Sequence, residues 1–100
     1  MQSILFSQKN GILVHFMSLH TIKVEKVYKA YTTHAESMYC VIGYYNYGKN
    51  NTIELARFEL EYCANLFLKE LVNQLSITDE TKNLYIDLDL IKEKVLILNK

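Results

Sequence analysis

Gly48-Lys49-Asn50-Asn51-Thr52-Ile53-Glu54-Leu55-Ala56-Arg57-Phe58-Glu59 is the stretch whose reading decides the fold, because it joins a β-rich first half to a second half that can be helical. The glycine and the two asparagines break the alternation that precedes them. Asn51 or Thr52 suits a helix N-cap, and Glu54 falls where a carboxylate reaches the first free amides and the positive end of the helix dipole. At about 100° per residue, Ile53, Ala56, Leu60, Cys63, Ala64, Phe67, Leu71 and Leu75 share one face, so the spacing predicts one long helix over 52–75 lying across a sheet. A second apolar stripe, Leu55, Phe58, Tyr62 and Leu66, runs along the opposite side. One sheet cannot cover both, which makes the second stripe a candidate self-association surface.

Upstream of this stretch the pattern is that of strands. Asn10-Gly11, flanked by Ile4-Leu5-Phe6 and Ile12-Leu13-Val14-His15-Phe16, predicts a hairpin closed by a tight type I′ turn. Residues 22–31 alternate, with Ile22, Val24, Tyr28 and Ala30 on one side and Lys23, Glu25, Val27, Lys29 and Tyr31 on the other. A polar turn over 32–37 leads to a fourth strand, 38–47, whose even positions Met38, Cys40, Ile42 and Tyr44 are expected to face the core. Downstream, Ser76-Ile77-Thr78-Asp79 is a hinge. A short extended piece at 84–87, Asp87 as an N-cap and a helix over 88–98 complete the chain. The expectation is an α+β protein in one domain, 1–100. Its sheet is a four-stranded antiparallel meander (1–47), with one long helix packed on one face (52–75) and a C-terminal strand/helix extension (76–100).

Composition narrows the functional classes. Half of the 100 residues are apolar, and 11 basic residues balance 11 acidic ones. That describes a small globular domain and argues against a strongly basic nucleic-acid binder. The balance is uneven along the chain: residues 1–50 carry +5 − 2 = +3 and residues 51–100 carry +6 − 9 = −3. No run of about 18 apolar residues suggests a membrane span, and no basic opening followed by a long apolar core suggests export. With Cys40 and Cys63 spaced outside any CxxC pattern, two reduced thiols in a cytoplasmic protein are expected.

Catalytic and metal-binding patterns are sparse. His15 and His20 differ in parity along extended chain, and neither they nor His34 have neighbours that complete a ligand set. Cys40 falls in the inferred core set, where a thiol is inert, even though a hairpin could bring it toward His34. The carboxylate pairs Asp87/Asp89 and Glu59/Glu61 read as solvated surface. Gly11, Gly43 and Gly48 never cluster into a phosphate-binding loop. The sequence therefore predicts no enzyme, no cofactor, no metal and no small-molecule substrate.

The chain is rich in tyrosine, with eight. Tyr31, Tyr39, Tyr45 and Tyr47 occupy odd positions of the two middle strands, together with Lys23 and Lys29, opposite the expected core set. Tyrosine combines contact area with a hydrogen bond at small rotamer cost, so this face is the candidate partner-binding surface. The partner expected is another protein, or a second copy forming a homodimer. Stacking on single-stranded nucleic acid through the aromatic face is the alternative function, and a purely structural homodimer subunit is another.

The succession of an N-terminal hairpin, a strand ending Val41-Ile42-Gly43-Tyr44-Tyr45, and a polar loop leading into a long helix rich in Glu and Ala, here Glu54-Leu55-Ala56-Arg57-Phe58-Glu59, resembles small uncharacterised α+β proteins of low-GC bacteria and their phages. The resemblance spans residues 1–75. It implies an accessory protein of a phage or mobile element that acts by contact, as an inhibitor of a host defence complex.

Overall fold

The computed structural model describes residues 4–8, 13–28, 37–46, 51–76 and 84–98. The fold is α+β, built as two three-stranded sheets and two helices around a shared core rather than as one four-stranded meander.

The first sheet contains β1 (Ile4–Ser7), β2 (Leu13–His15) and β6 (Leu84–Asp87), in the order β2-β1-β6. β1 and β2 are antiparallel, as the hairpin pattern predicts. The Asn10-Gly11 turn lies outside the described residues. Its ladder pairs Phe6 with Val14 and Ser7 with Leu13, one residue away from the register that a two-residue turn at 10–11 would impose. That register puts Phe6 and Val14 on one face, and both are buried. β6 adds to the free edge of β1 in parallel, with Phe6 opposite Ile86. The alternation of buried Ile86 with exposed Tyr85 is the half-buried strand pattern that the sequence suggested for 84–87.

After β2 the chain makes a single 3-10 turn, Phe16–Ser18, and leaves the first sheet. Phe16 packs its ring on Phe6, with centroids 5.7 Å apart. This turn is where the expected meander breaks. β3 (Leu19–Tyr28) pairs with β4 (Ser37–Tyr45), which pairs with β5 (Thr52–Phe58), giving the second sheet the order β3-β4-β5.

β5 corrects the reading of the deciding stretch. Residues 52–58 are a strand, and helix α1 begins only at Glu61 and ends at Ser76. Over seven residues, helical and strand periodicities are not separable, so pairing decides. β4 offers an open edge, the backbone N–H of Tyr45 donates to Asn51 O at 3.0 Å, and Phe58 pairs opposite Tyr39. Glu59 and Leu60 make the bend, and the Leu60 carbonyl accepts from the amides of Cys63 and Ala64 at 3.1 and 3.3 Å to open α1.

α1 lies across β3, β4 and β5, burying Cys63, Ala64, Phe67 and Leu71. That face is the one expected of the long helix from Cys63 onward. Helix α2 (Leu88–Leu98) follows β6 directly, packs on α1, β5 and β1, and buries Leu88, Ile91 and Val95. The one apolar cluster thus touches both sheets and both helices. Gly43 lies inside β4 beneath Leu19, where a Cβ would stand 2.9 Å from Leu19 Cδ1 and the end of that leucine would have to shift to admit it.

Candidate interaction surface

The placement of the tyrosines follows from register. In an antiparallel ladder directly opposed residues share a face. Val24 opposes Val41 and Ile22 opposes Gly43, so the even positions of β3 share the core face with the odd positions of β4. Ile22 and Val24 are therefore inward as expected, with the Tyr28 side chain and Ala30 outside what is described, whereas the parity expected for β4 is inverted, although Cys40 is buried all the same. Tyr39 and Tyr45 are half-buried and pack against the core cluster. Lys23 lies on the other side of the sheet, opposite Ile42. Tyr31, Tyr47 and Lys29 lie outside the described residues. Tyr39, Tyr45 and Lys23 therefore do not form one exposed surface.

The outward face of the second sheet is instead a row of paired charges. Tyr44 donates its hydroxyl to Glu25, whose carboxylate also meets Lys23 Nζ at 3.2 Å. Lys23 sits 5.0 Å from the centre of the Tyr44 ring. The Tyr44 hydroxyl first, and Lys23 second, hold the Glu25 carboxyl below the usual glutamate value, while Glu25 raises both Lys23 and Tyr44. One strand over, Glu54 Oε1 accepts from Arg57 Nε at 2.9 Å and from the Cys40 thiol at 3.2 Å. Beneath that pair Cys40 is 1 % exposed, and burial first, then Glu54, push its thiol above the ordinary value. A thiol held protonated is a poor nucleophile.

The second stripe expected of the long helix is divided by the β5 correction. Leu55 and Phe58 are 4 % and 3 % exposed because they sit on β5 and point into the core, so they cannot serve self-association. Phe58 stacks at a tilt on Phe67, with centroids 5.7 Å apart. On α1, Tyr62 is 63 % exposed, while Leu66 is half-buried and lines a crevice between the helices with Val95 and Leu98. Lys94 Nζ closes that crevice on Glu70 Oε1 at 3.0 Å, and holds the Glu70 carboxyl below its usual value.

A concave surface that the sequence reading missed lies between β5 and α2. β5 is an edge strand, and α2 runs beside it. Asp89, Lys92 and Leu96, on one side of α2, form the far wall of a trough that follows β5 from Glu54 to Phe58 and continues along the bend to Leu60. It comprises two adjoining hollows of about 440 and 390 Å³ that share Arg57 and Lys92. Polar residues, including Gln8 and Glu54, line the first; Met38, Phe58, Leu60, Cys63 and Leu96 make the second largely apolar. Lys92 Nζ is 5.7 Å from the centre of the Phe58 ring and, among the described residues, pairs with no carboxylate. At the polar end Gln8 Nε2 donates to the outward carbonyls of Glu54 and Leu55 at 2.9 and 3.4 Å.

Leu60 stands exposed at the trough, Tyr62 is exposed on α1, and Leu90 and Ile97 project from α2 at 62 % and 69 % exposure. Over 88–98, Leu88, Ile91 and Val95 make one buried stripe and Leu90, Leu96, Ile97 and Leu98 remain exposed; of these, Leu96 lines the trough. Among the described residues no group of three or more His, Cys, Asp or Glu side chains could hold a metal ion. No described helix is long and apolar enough to cross a membrane. Compared with protein-family models, curated proteins and solved structures, the chain has no significant match to any of them.

Proposed function

We propose that the chain is a small non-enzymatic protein-binding module that acts by stoichiometric contact, and that the trough between β5 and α2 is its contact surface. The observation carrying this reading is the trough itself. Concave surface, an exposed apolar rim at Leu60 and Leu96, and cations at Arg57 and Lys92 converge there. Contact energy concentrates where a few large side chains enter a water-excluding hollow, and exposed apolar groups gathered at such a place mark binding. The chemistry around it supports binding over catalysis: Arg57 is tied to Glu54, Cys40 is kept protonated, and neither is poised to take up or release a proton near neutrality. The resemblance of residues 1–75 to small uncharacterised α+β proteins of low-GC bacteria and their phages is the ground on which we extend this reading to an inhibitor of a host defence complex.

The test is affinity capture with the immobilised protein beside a Leu60→Ser/Leu96→Ser variant, combined with light scattering of both. Exposed positions of this kind change stability by only about 0.5 kcal/mol each, so the variant stays folded. A one-to-one partner, or a dimer by light scattering, that the variant loses supports the module. Equal retention by the variant, or a monomer that captures nothing, ends it.

A further inference from the structure

We infer that the trough receives an extended peptide segment of the partner, added as a further strand along the β5 edge, with an acidic and an aliphatic side chain two residues apart. This deepens the protein-binding reading and rests on it. Edge strands present unpaired main-chain groups, and a trough between such an edge and a neighbouring helix is the geometry of strand addition. Here β5 is the edge and the Asp89, Lys92 and Leu96 side of α2 is the opposite wall. Gln8 Nε2 already occupies the carbonyls of Glu54 and Leu55, where the β4–β5 register shifts at a bulge, so the stretch open to an added strand begins beyond them. Beyond Gln8 the edge from Arg57 onward opens into the apolar hollow.

Side-chain chemistry follows from what lines the wall. Alternate residues of an added strand point to the same side. On the α2 side such a strand would pass Lys92 and then the hollow lined by Phe58, Leu60 and Leu96. Lys92 has an aromatic ring beneath it and no carboxylate partner among the described residues, so its charge is open to an incoming acid. Arg57 lends less, being shared with Glu54. A segment that places Glu or Asp at Lys92 and Leu, Ile or Val two residues on satisfies both. A basic segment would meet Lys92 with like charge.

The test uses the full chain and three synthetic peptides, followed by amide chemical shifts and hydrogen exchange. The probe is Ac-Thr-Val-Glu-Val-Leu-Thr-NH2; one control replaces its Glu by Gln, and the other replaces the Val between Glu and Leu by Pro. Saturable shifts along β5 and the Lys92 side of α2, with added exchange protection of the Arg57 amide, are expected. The Gln peptide and a Lys92→Gln protein should each bind about fivefold more weakly, the upper range for an exposed ion pair. The Pro peptide, unable to donate its central N–H, should not bind. Equal binding of all three peptides, shifts centred on Leu90 and Ile97 instead, or no saturable shift with the probe would overturn strand addition. If capture of a partner still depends on Leu60 and Leu96 in that case, the module reading stands and only its mode of binding falls.

Discussion

Replacing Asp87 tests whether the wall of the trough stands on a cap that is already legible in the sequence. One carboxylate oxygen of Asp87 accepts from the backbone amides of Asp89 at 3.0 Å and Leu90 at 3.3 Å, satisfying two of the donors that the first turn of α2 leaves free. The first bond has ordinary length and the second is long, so the middle of the range for an N-cap applies, about 1 kcal/mol. The negative charge at an exposed helix start adds about 0.3 kcal/mol. Asp87→Ala should therefore cost about 1.3 kcal/mol and lower the melting temperature by about 6 °C, whereas Asp87→Asn keeps the acceptor and should fall by no more than about 2 °C. Thermal melts followed by circular dichroism read the size. Hydrogen exchange reads the place, with protection lost at the Asp89 and Leu90 amides while Ile91 to Val95 keep theirs. An Ala variant as stable as the parent, or an Asn variant that falls as far as Ala, would refute the capping argument.

Two further outcomes follow from packing and charge. Tyr39→Ser with Tyr45→Ser should cost about 3 kcal/mol together, because both rings pack against the core cluster. Urea unfolding checks this, and an unchanged midpoint would return these tyrosines to the surface. Glu70→Gln removes a carboxylate that Lys94 holds below its unfolded value. A depressed carboxyl stabilises above its unfolded pKa and loses that contribution as pH falls through the folded one. The variant should thus melt lower than the parent at neutral pH and converge with it in acid, a difference that melts across a pH series would detect; parallel curves would sink the pairing.

How far the site was legible depends on which interactions define it. The α2 wall was largely readable, since Asp87 followed by the spacing of Leu88, Ile91 and Val95 states a cap and a stripe within eleven helical residues. The β5 wall was not. Thr52 to Phe58 satisfies a helical wheel as well as it satisfies a strand, and the free edge of β4 settles the matter. Lys92 and Leu96 carry no signal of their own until β5 stands opposite them.

Local order belongs to the sequence: the N-terminal hairpin, the inward set Ile22 and Val24 on β3, the buried face of α1 from Cys63 and the whole of β6 and α2 follow from periods and caps acting over a few residues. Tertiary structure decided the rest, because it depends on which edges meet. The expected meander splits in two because β3, after the turn at Phe16–Ser18, pairs with β4 and not with β2, while β6 completes the first sheet beside β1. Opposition of Val24 and Val41 turns Tyr39 and Tyr45 toward the core. A side chain's face in a sheet flips with a shift of one residue in register, and register is a long-range property that no local pattern contains.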